Sequence, residues 1–512
     1  MSTSPTLSRQ WDNQRKNLRK TFRRFDVLAF LVCTMVGLDT IGSVAAHGPQ
    51  GLVWMVILAA VFLLPYGMLV SELSTAIPVE GGPYVWTKLA FGKFVAAINQ
   101  VMYWFSNPVW VGGTLCILAV TTFQTFFFPL PGFWGYLGGL VFIWATVLGV
   151  LAALNIGKWI PTAGAFVRIL MLGFFVVTAI VYGVQHGIQP LTGSAFAPSY
   201  LGFIALVPVL IFNYVGFELP SNAAEEMTNP QRDIPFAVLR TGFGAFILYG
   251  GPILCILLVL PAKQINGLGG FLDAVKAVFT VYGGSVHSDG TVELSGAGAV
   301  FAGICAAGFI IGLLTSGVTW SMGGDRAQAV ACTDGAGPAW LGKISPRFGT
   351  PVRINVLSGI LSTIMMVLAR VLTSGDGQKY FSAALGLAIS TTFFTYIAMF
   401  PALTVLRRKL PDLPRPYQVP GGRIGAWVVS SVTGLIVLFT VVVLLWPGFG
   451  VGWFGTSGSP DDSLPASFAG QRLGYTLSQV LPLLAIILVG VIFFVVGSYQ
   501  LRKADREPDL IS

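Results

Sequence analysis

From residue 27 to residue 500 the chain alternates between long apolar runs and short polar links. A helix crossing the roughly 30 Å hydrocarbon core of a bilayer needs about 20 mostly apolar residues. Twelve runs meet that length: 27–46, 51–76, 94–121, 133–155, 162–185, 200–222, 236–260, 296–321, 354–371, 380–404, 426–446 and 476–500. The pattern predicts an all-α integral membrane protein of about 12 transmembrane helices. No polar domain separates the runs, so the expected organisation is one membrane domain over 25–500. A basic tail, 1–24, and a short tail, 501–512, flank it. No short apolar core with a small-residue cleavage site precedes the first run, so no cleaved signal peptide is expected. The segment 270–284 carries Phe271, Val275, Val278 and Phe279 at helical spacing and predicts a short amphipathic helix on the surface.

Composition agrees with the pattern. Of 512 residues 54% are hydrophobic and 10% charged, where soluble domains carry about 25% charged residues. The net charge of +9 changes the picture only once it is placed. Twenty-four of the 30 Lys and Arg fall in alternate links that share a side with the N-terminus. Lys263, Lys276, Arg370, Lys379 and Arg472 fall on the other side, and Arg168 lies within a run. Retention of Lys and Arg in the cytoplasm then predicts a multi-pass plasma-membrane protein with both termini cytoplasmic. The basic balance is topological and implies no nucleic-acid partner. The five cysteines and three histidines form no zinc or redox spacing. No HExxH, nucleophile elbow or Walker-type loop occurs. We therefore expect no enzyme, no ATP-driven pump, no cofactor and no metal.

Two runs contain breaks. In the first, Gly37-Leu38-Asp39-Thr40-Ile41-Gly42 places a carboxylate between glycines in the middle of a spanning helix. In the sixth, Asn213-Tyr214-Val215-Gly216-Phe217-Glu218-Leu219-Pro220 places a carboxylate between a glycine and a proline, and Pro220 removes the bond normally given to the carbonyl of residue 216. Irregular backbone at membrane depth is tolerated only where it lines a cavity or is covered by protein. Interrupted spans in matching positions of two five-helix halves point to a transporter with inverted repeats and a midplane site.

Residues 25–500 resemble the amino acid–polyamine–organocation (APC) superfamily. The likeness is carried by Gly216-Phe217-Glu218, by Glu225-Glu226 and Asn229-Pro230-Gln231-Arg232-Asp233-Ile234-Pro235, and by Pro78 with Gly81-Gly82-Pro83-Tyr84 and Phe91-Gly92. Asp334-Gly335 with Pro338, and Thr350-Pro351, extend it. The resemblance implies the LeuT-type fold: a 5+5 inverted repeat, about 25–186 and 198–405, plus two extra helices over about 425–500. It implies a secondary active transporter that moves an amino acid by alternating access, with proton-coupled symport or exchange. Substrate contacts carried over are Gly37, Leu38, Asp39, Thr40, Ile41, Gly42, Phe212, Tyr214, Gly216 and Trp320. Glu218 matches an acid of proton-sensitive gating. Arg168 matches the place where some proton-dependent relatives put a Lys in the volume of a second sodium ion.

One departure bears on the cargo. The family's first break usually reads Gly-Ser-Gly, whereas this chain has Gly37-Leu38-Asp39. A dehydrated carboxylate there repels a substrate carboxylate and attracts an ammonium. A polyamine or other organic cation is therefore the alternative cargo, and a non-transporting sensor the alternative of another class. Three further choices stay open from sequence. Asp39 either contacts the ligand or caps the second half-helix. Glu218 either carries a proton or holds freed backbone. Arg168 either snorkels to the interface or is a fixed internal cation.

Overall fold

The computed structural model describes residues 23–156, 159–261, 264–265, 267–287, 291–372, 376–453, 456 and 458–506. The tail residues 1–22 and 507–512, and with them Lys158 and Lys263, lie outside the described residues. Ten described helices are long and apolar enough to cross a membrane: Gln50–Ala76, Lys93–Phe126, Phe133–Ala152, Trp159–His186, Tyr200–Glu226, Pro230–Val259, Gly296–Ala336, Gly377–Lys409, Gly422–Leu445 and Arg472–Lys503. The first expected span is split into Arg24–Met35 and Ile41–Ala45, and the ninth is Val352–Leu372. All twelve expected runs are thus helical and in order, and are numbered below as spans 1 to 12. The chain is an all-α, multi-pass membrane protein.

Span 8 departs most from its expected edge. The apolar run stops at 321, but the helix continues to Ala331 and through a wider turn to Ala336. The polar residues that make 325–334 read as a link are buried against partners. Trp104 donates its indole N–H to Asp325 at 3.0 Å, and Arg326 Nη1 lies 2.8 Å from Glu226. Further pairs close the same side of the molecule, from which span 1 starts. These are Lys88 with Asp334 at 2.6 Å, Arg407 with Glu72 at 2.5 Å and Arg24 with Asp233 at 3.1 Å.

The helix Gly270–Phe279 forms as its spacing predicts, but it does not lie on the surface. Phe271 packs 5.0 Å from Phe175 of span 5 and 5.1 Å from Phe309 of span 8. Its small residues Ala274 and Ala277 are buried too, so both faces are covered. A short antiparallel hairpin follows, β1 (Gly284–Val286) on β2 (Val292–Leu294), with Gly284 opposite Leu294. Nothing in the alternation of the sequence had pointed to it.

Candidate functional site

Span 1 loses its helical bonds between Met35 and Ile41, and side chains of three other spans take them up. Trp320 of span 8 donates to the carbonyl of Thr34 at 3.0 Å. Tyr249 of span 7 donates to the carbonyl of Met35 at 2.6 Å and accepts from the amide of Gly37 at 2.7 Å. Arg168 of span 5 donates through Nε to the carbonyl of Val36 at 3.0 Å. Freed backbone groups in an apolar interior must be paired in this way. Glycine at 37 permits the approach, because a Cβ there would sit 3.3 Å from the Tyr249 oxygen and 3.0 Å from Asp39 Oδ1.

A tight cavity of about 10 Å³, roughly the room of one water molecule, lies beside the break, lined by Thr34, Met35, Gly37, Asp39, Thr40, Trp110, Phe212, Asn213, Tyr249 and Trp320. Trp110 donates its indole N–H to Asp39 Oδ2 at 2.7 Å. Asp39 Oδ1 and both polar atoms of the Asn213 amide are buried with no protein partner among the described residues. Phe212 and Trp320 stand edge-on to Trp110, with ring centroids 6.2 and 6.1 Å away. The capping alternative for Asp39 is not seen: Thr40 precedes the helix Ile41–Ala45 and no side chain caps it. Asp39 is the one charged side chain in the cavity wall.

Of the expected contacts, Gly37, Asp39, Thr40, Phe212 and Trp320 share this wall, and five do not. Leu38 points toward Gly312 of span 8. Ile41 and Gly42 already belong to the short second helix. Tyr214 is turned away, its phenol donating to the carbonyl of Met55 on span 2 at 2.7 Å. Gly216 lies behind Thr34 and Trp320, where a Cβ would come within 2.6 and 3.3 Å of them, and its φ of +122° is one that glycine tolerates. Trp110, Tyr249, Thr34, Met35 and Asn213 were not anticipated. Asn213 adjoins the expected Phe212, while Trp110 and Tyr249 carry no local signal.

The break in span 6 has its own arrangement. Span 6 stops at Tyr214 and resumes as a tighter helix at Leu219. Leu219 donates to the carbonyl of Gly216 at 3.1 Å, the carbonyl that Pro220 leaves without its usual donor. Glu218 is fully buried outside the cavity and accepts from three phenols: Tyr66 of span 2, Tyr103 of span 3 at 2.9 Å and Tyr396 of span 10 at 2.9 Å. The Tyr66 oxygen also accepts from the amides of Gly216 and Phe217, each at 3.0 Å. The acid and the freed backbone are therefore joined in one network through the Tyr66 oxygen, which is the structural role left open for Glu218.

Arg168 does not reach the interface. It is fully buried, and besides Val36 it donates to Cys33 Sγ at 3.1 Å, Thr315 Oγ1 at 3.2 Å, the carbonyl of Gly312 and the hydroxyl of Ser316. Through these bonds it ties span 1 to span 8.

A model of the amino acid permease family matches residues 22–454. The chain is 27% identical over 438 residues to a probable agmatine/putrescine antiporter of Lactococcus lactis, covering 84% of this chain and 89% of that one. It is 24% identical over 468 residues to a branched-chain amino acid permease of Bacillus subtilis, covering 86% and 89%. Solved structures of Eremococcus coleocola manganese transporter variants superpose over 98% of this chain and 99% of theirs, with 14% identity and a TM-score of 0.54 for one of them. That last likeness is one of fold.

Proposed function

The chain belongs to the amino acid permease family and is a secondary transporter, and on that premise we propose that it carries an amine-bearing substrate whose ammonium binds Asp39. This is an amino acid or the amine left when an amino acid loses its carboxylate. The observation that carries the reading is the cavity wall: one carboxylate, with one oxygen on Trp110 and the other without a protein partner, ringed by Trp110, Phe212 and Trp320. An ammonium on a desolvated carboxylate makes a charge-assisted bond, and aromatic faces add cation–π attraction. Within this class the wall favours the amine, because no cationic side chain lines it to meet a substrate carboxylate. An amino acid would instead place that group on backbone amides of the span 1 break, as the family resemblance implies.

Alternating access by movement of spans 1 and 6 against their neighbours belongs to the same reading, as do the 5+5 repeat and the two appended spans. So do proton coupling through Glu218, a location in the plasma membrane and cytoplasmic termini. The acid buried among three phenols supports the coupling, and the crowding of Lys and Arg on one side supports the orientation.

The test is thermal stabilisation of the purified protein by matched pairs: arginine with agmatine, ornithine with putrescine, glutamate with γ-aminobutyrate. A ligand that binds only the folded state raises apparent stability by mass action. Stabilisation by agmatine or putrescine assigns an amine carrier, and by the amino-acid members alone an amino-acid carrier. No shift with any ammonium-bearing member removes Asp39 from substrate binding.

A further inference from the structure

Spans 2 and 7 are separated by an apolar groove of about 660 Å³, far larger than the substrate cavity and open on the flank of the molecule. One wall is span 2 from Val56 to Ser71, the other is span 7 from Pro235 to Phe246, and Phe217 forms part of the floor. At 1.5 Å per residue those fifteen steps of span 2 run about 22 Å. One leaflet of hydrocarbon is about 15 Å deep. The groove is therefore long enough for an acyl chain from end to end. Glycines stand where its walls come closest. A Cβ on Gly242 would meet the Phe217 ring at 3.4 Å, and one on Gly67 would meet Val238 at 3.0 Å.

The end of the groove near the start of span 7 is cationic. Phe236, in the wall, carries the guanidinium of Arg240 at 3.7 Å from its ring centroid and that of Arg24 at 4.6 Å. Arg24 is paired with Asp233. Arg240 is exposed, is pinned through Nη1 to the carbonyl of Phe236 at 3.3 Å, and has no ion pair among the described residues. Tyr417 adds a phenol to the lining, and Phe25, 73% exposed, stands edge-on to Phe236 at 6.4 Å. An apolar channel ending in an unpaired guanidinium matches a phospholipid with a net negative headgroup.

We propose that this groove is a binding site for one anionic phospholipid of the leaflet on the basic side, with an acyl chain between spans 2 and 7 and the phosphate on Arg240. The inference rests on the membrane reading and not on the identity of the cargo. Guanidinium bonds phosphate through paired N–H donors, and a basic side chain at that surface adds attraction for anionic lipid. The site has a route to the transport machinery. Phe217 packs 5.2 Å from Tyr66, which holds Glu218.

The experiment uses the full chain in neutral detergent, delipidated, then offered phosphatidylglycerol and phosphatidylcholine with identical acyl chains. Bound lipid is read by native mass spectrometry. Wild type is expected to retain phosphatidylglycerol with a preference of about tenfold. Arg240→Gln brings that preference close to one, Arg240→Lys keeps most of it, and Gly242→Leu, which fills the groove, lowers retention of both lipids. Equal retention of the two lipids by wild type overturns the proposal, as does an unchanged preference in Arg240→Gln. Displacement of phosphatidylglycerol by glycerol phosphate alone also overturns it, since the groove would then contribute nothing.

Discussion

The indole of Trp110 donates to Asp39 across 2.7 Å, joining the middle of span 3 to the break in span 1. The bond leaves one carboxylate oxygen committed to the protein and one buried without a protein partner among the described residues. Trp110 thereby aims the acid as well as lining its pocket.

Asp39→Asn keeps the shape of that pocket and removes its charge. Hydrogen bonds to charged groups are worth about 1.5–3 kcal/mol, so affinity for the stabilising amine should fall roughly 10- to 150-fold. Calorimetric titration of the two proteins checks it, and equal affinities would sink the assignment.

Trp110→Phe keeps the ring and removes the N–H. The orienting bond is lost while the aromatic wall stays, so binding should weaken by less than in Asp39→Asn, by about 1 kcal/mol. A loss as large as that of Asp39→Asn would mean that the bond matters as much as the charge it orients, and no loss at all would remove its orienting role.

Glu218→Gln should leave substrate affinity largely intact and flatten the pH dependence of uptake into vesicles, because Glu218 lies outside the cavity. Tyr66→Phe should instead lower the melting temperature. It strips an acceptor from the buried amides of Gly216 and Phe217, and unpaired buried groups cost about 1–3 kcal/mol each. A wild-type pH profile in Glu218→Gln would remove it as the proton site.

Arg168 donates to Val36 and Gly312, so a guanidinium group stands between spans 1 and 8. Uptake at constant pH should be the same in sodium and in choline. A strict sodium requirement would show that a cation binds elsewhere and drives transport.

Glu80, in the link after span 2, is fully buried and shares Arg326 with Glu226. Burial pushes its carboxyl well above the ordinary range; Arg326 opposes this, and Glu226 and Glu225 add to it. An acid whose folded pKa is raised binds more protons in the folded state, so stability falls as pH rises above its ordinary value near 4.5. Glu80→Gln should therefore reduce the loss of melting temperature between pH 5 and pH 8 (about the span in which most proteins are most stable). An unchanged slope would place the proton elsewhere.

The spans were legible because membrane burial needs long apolar runs, and the two breaks because glycine and proline act locally. The partners of the breaks were not. Tyr66, Tyr103 and Tyr396 come from spans 2, 3 and 10, and no periodicity distinguishes them among 14 tyrosines. Trp110 and Tyr249 are similar cases, since only the packing of distant spans brings them to Asp39 and Gly37. The segment Gly270–Phe279 misled for a different reason. Its spacing describes one apolar face, while alanine, which reads as neutral, buries the other.

Tyr249 holds the carbonyl of Met35 and the amide of Gly37 with one oxygen atom. The arm Arg24–Met35 ends at the first of these bonds, and the link toward Ile41–Ala45 begins at the second. That oxygen is therefore a single staple for both arms: Tyr249→Phe would leave the Met35 carbonyl and the Gly37 amide without it together, so the two arms of span 1 would lose their shared anchor at one stroke.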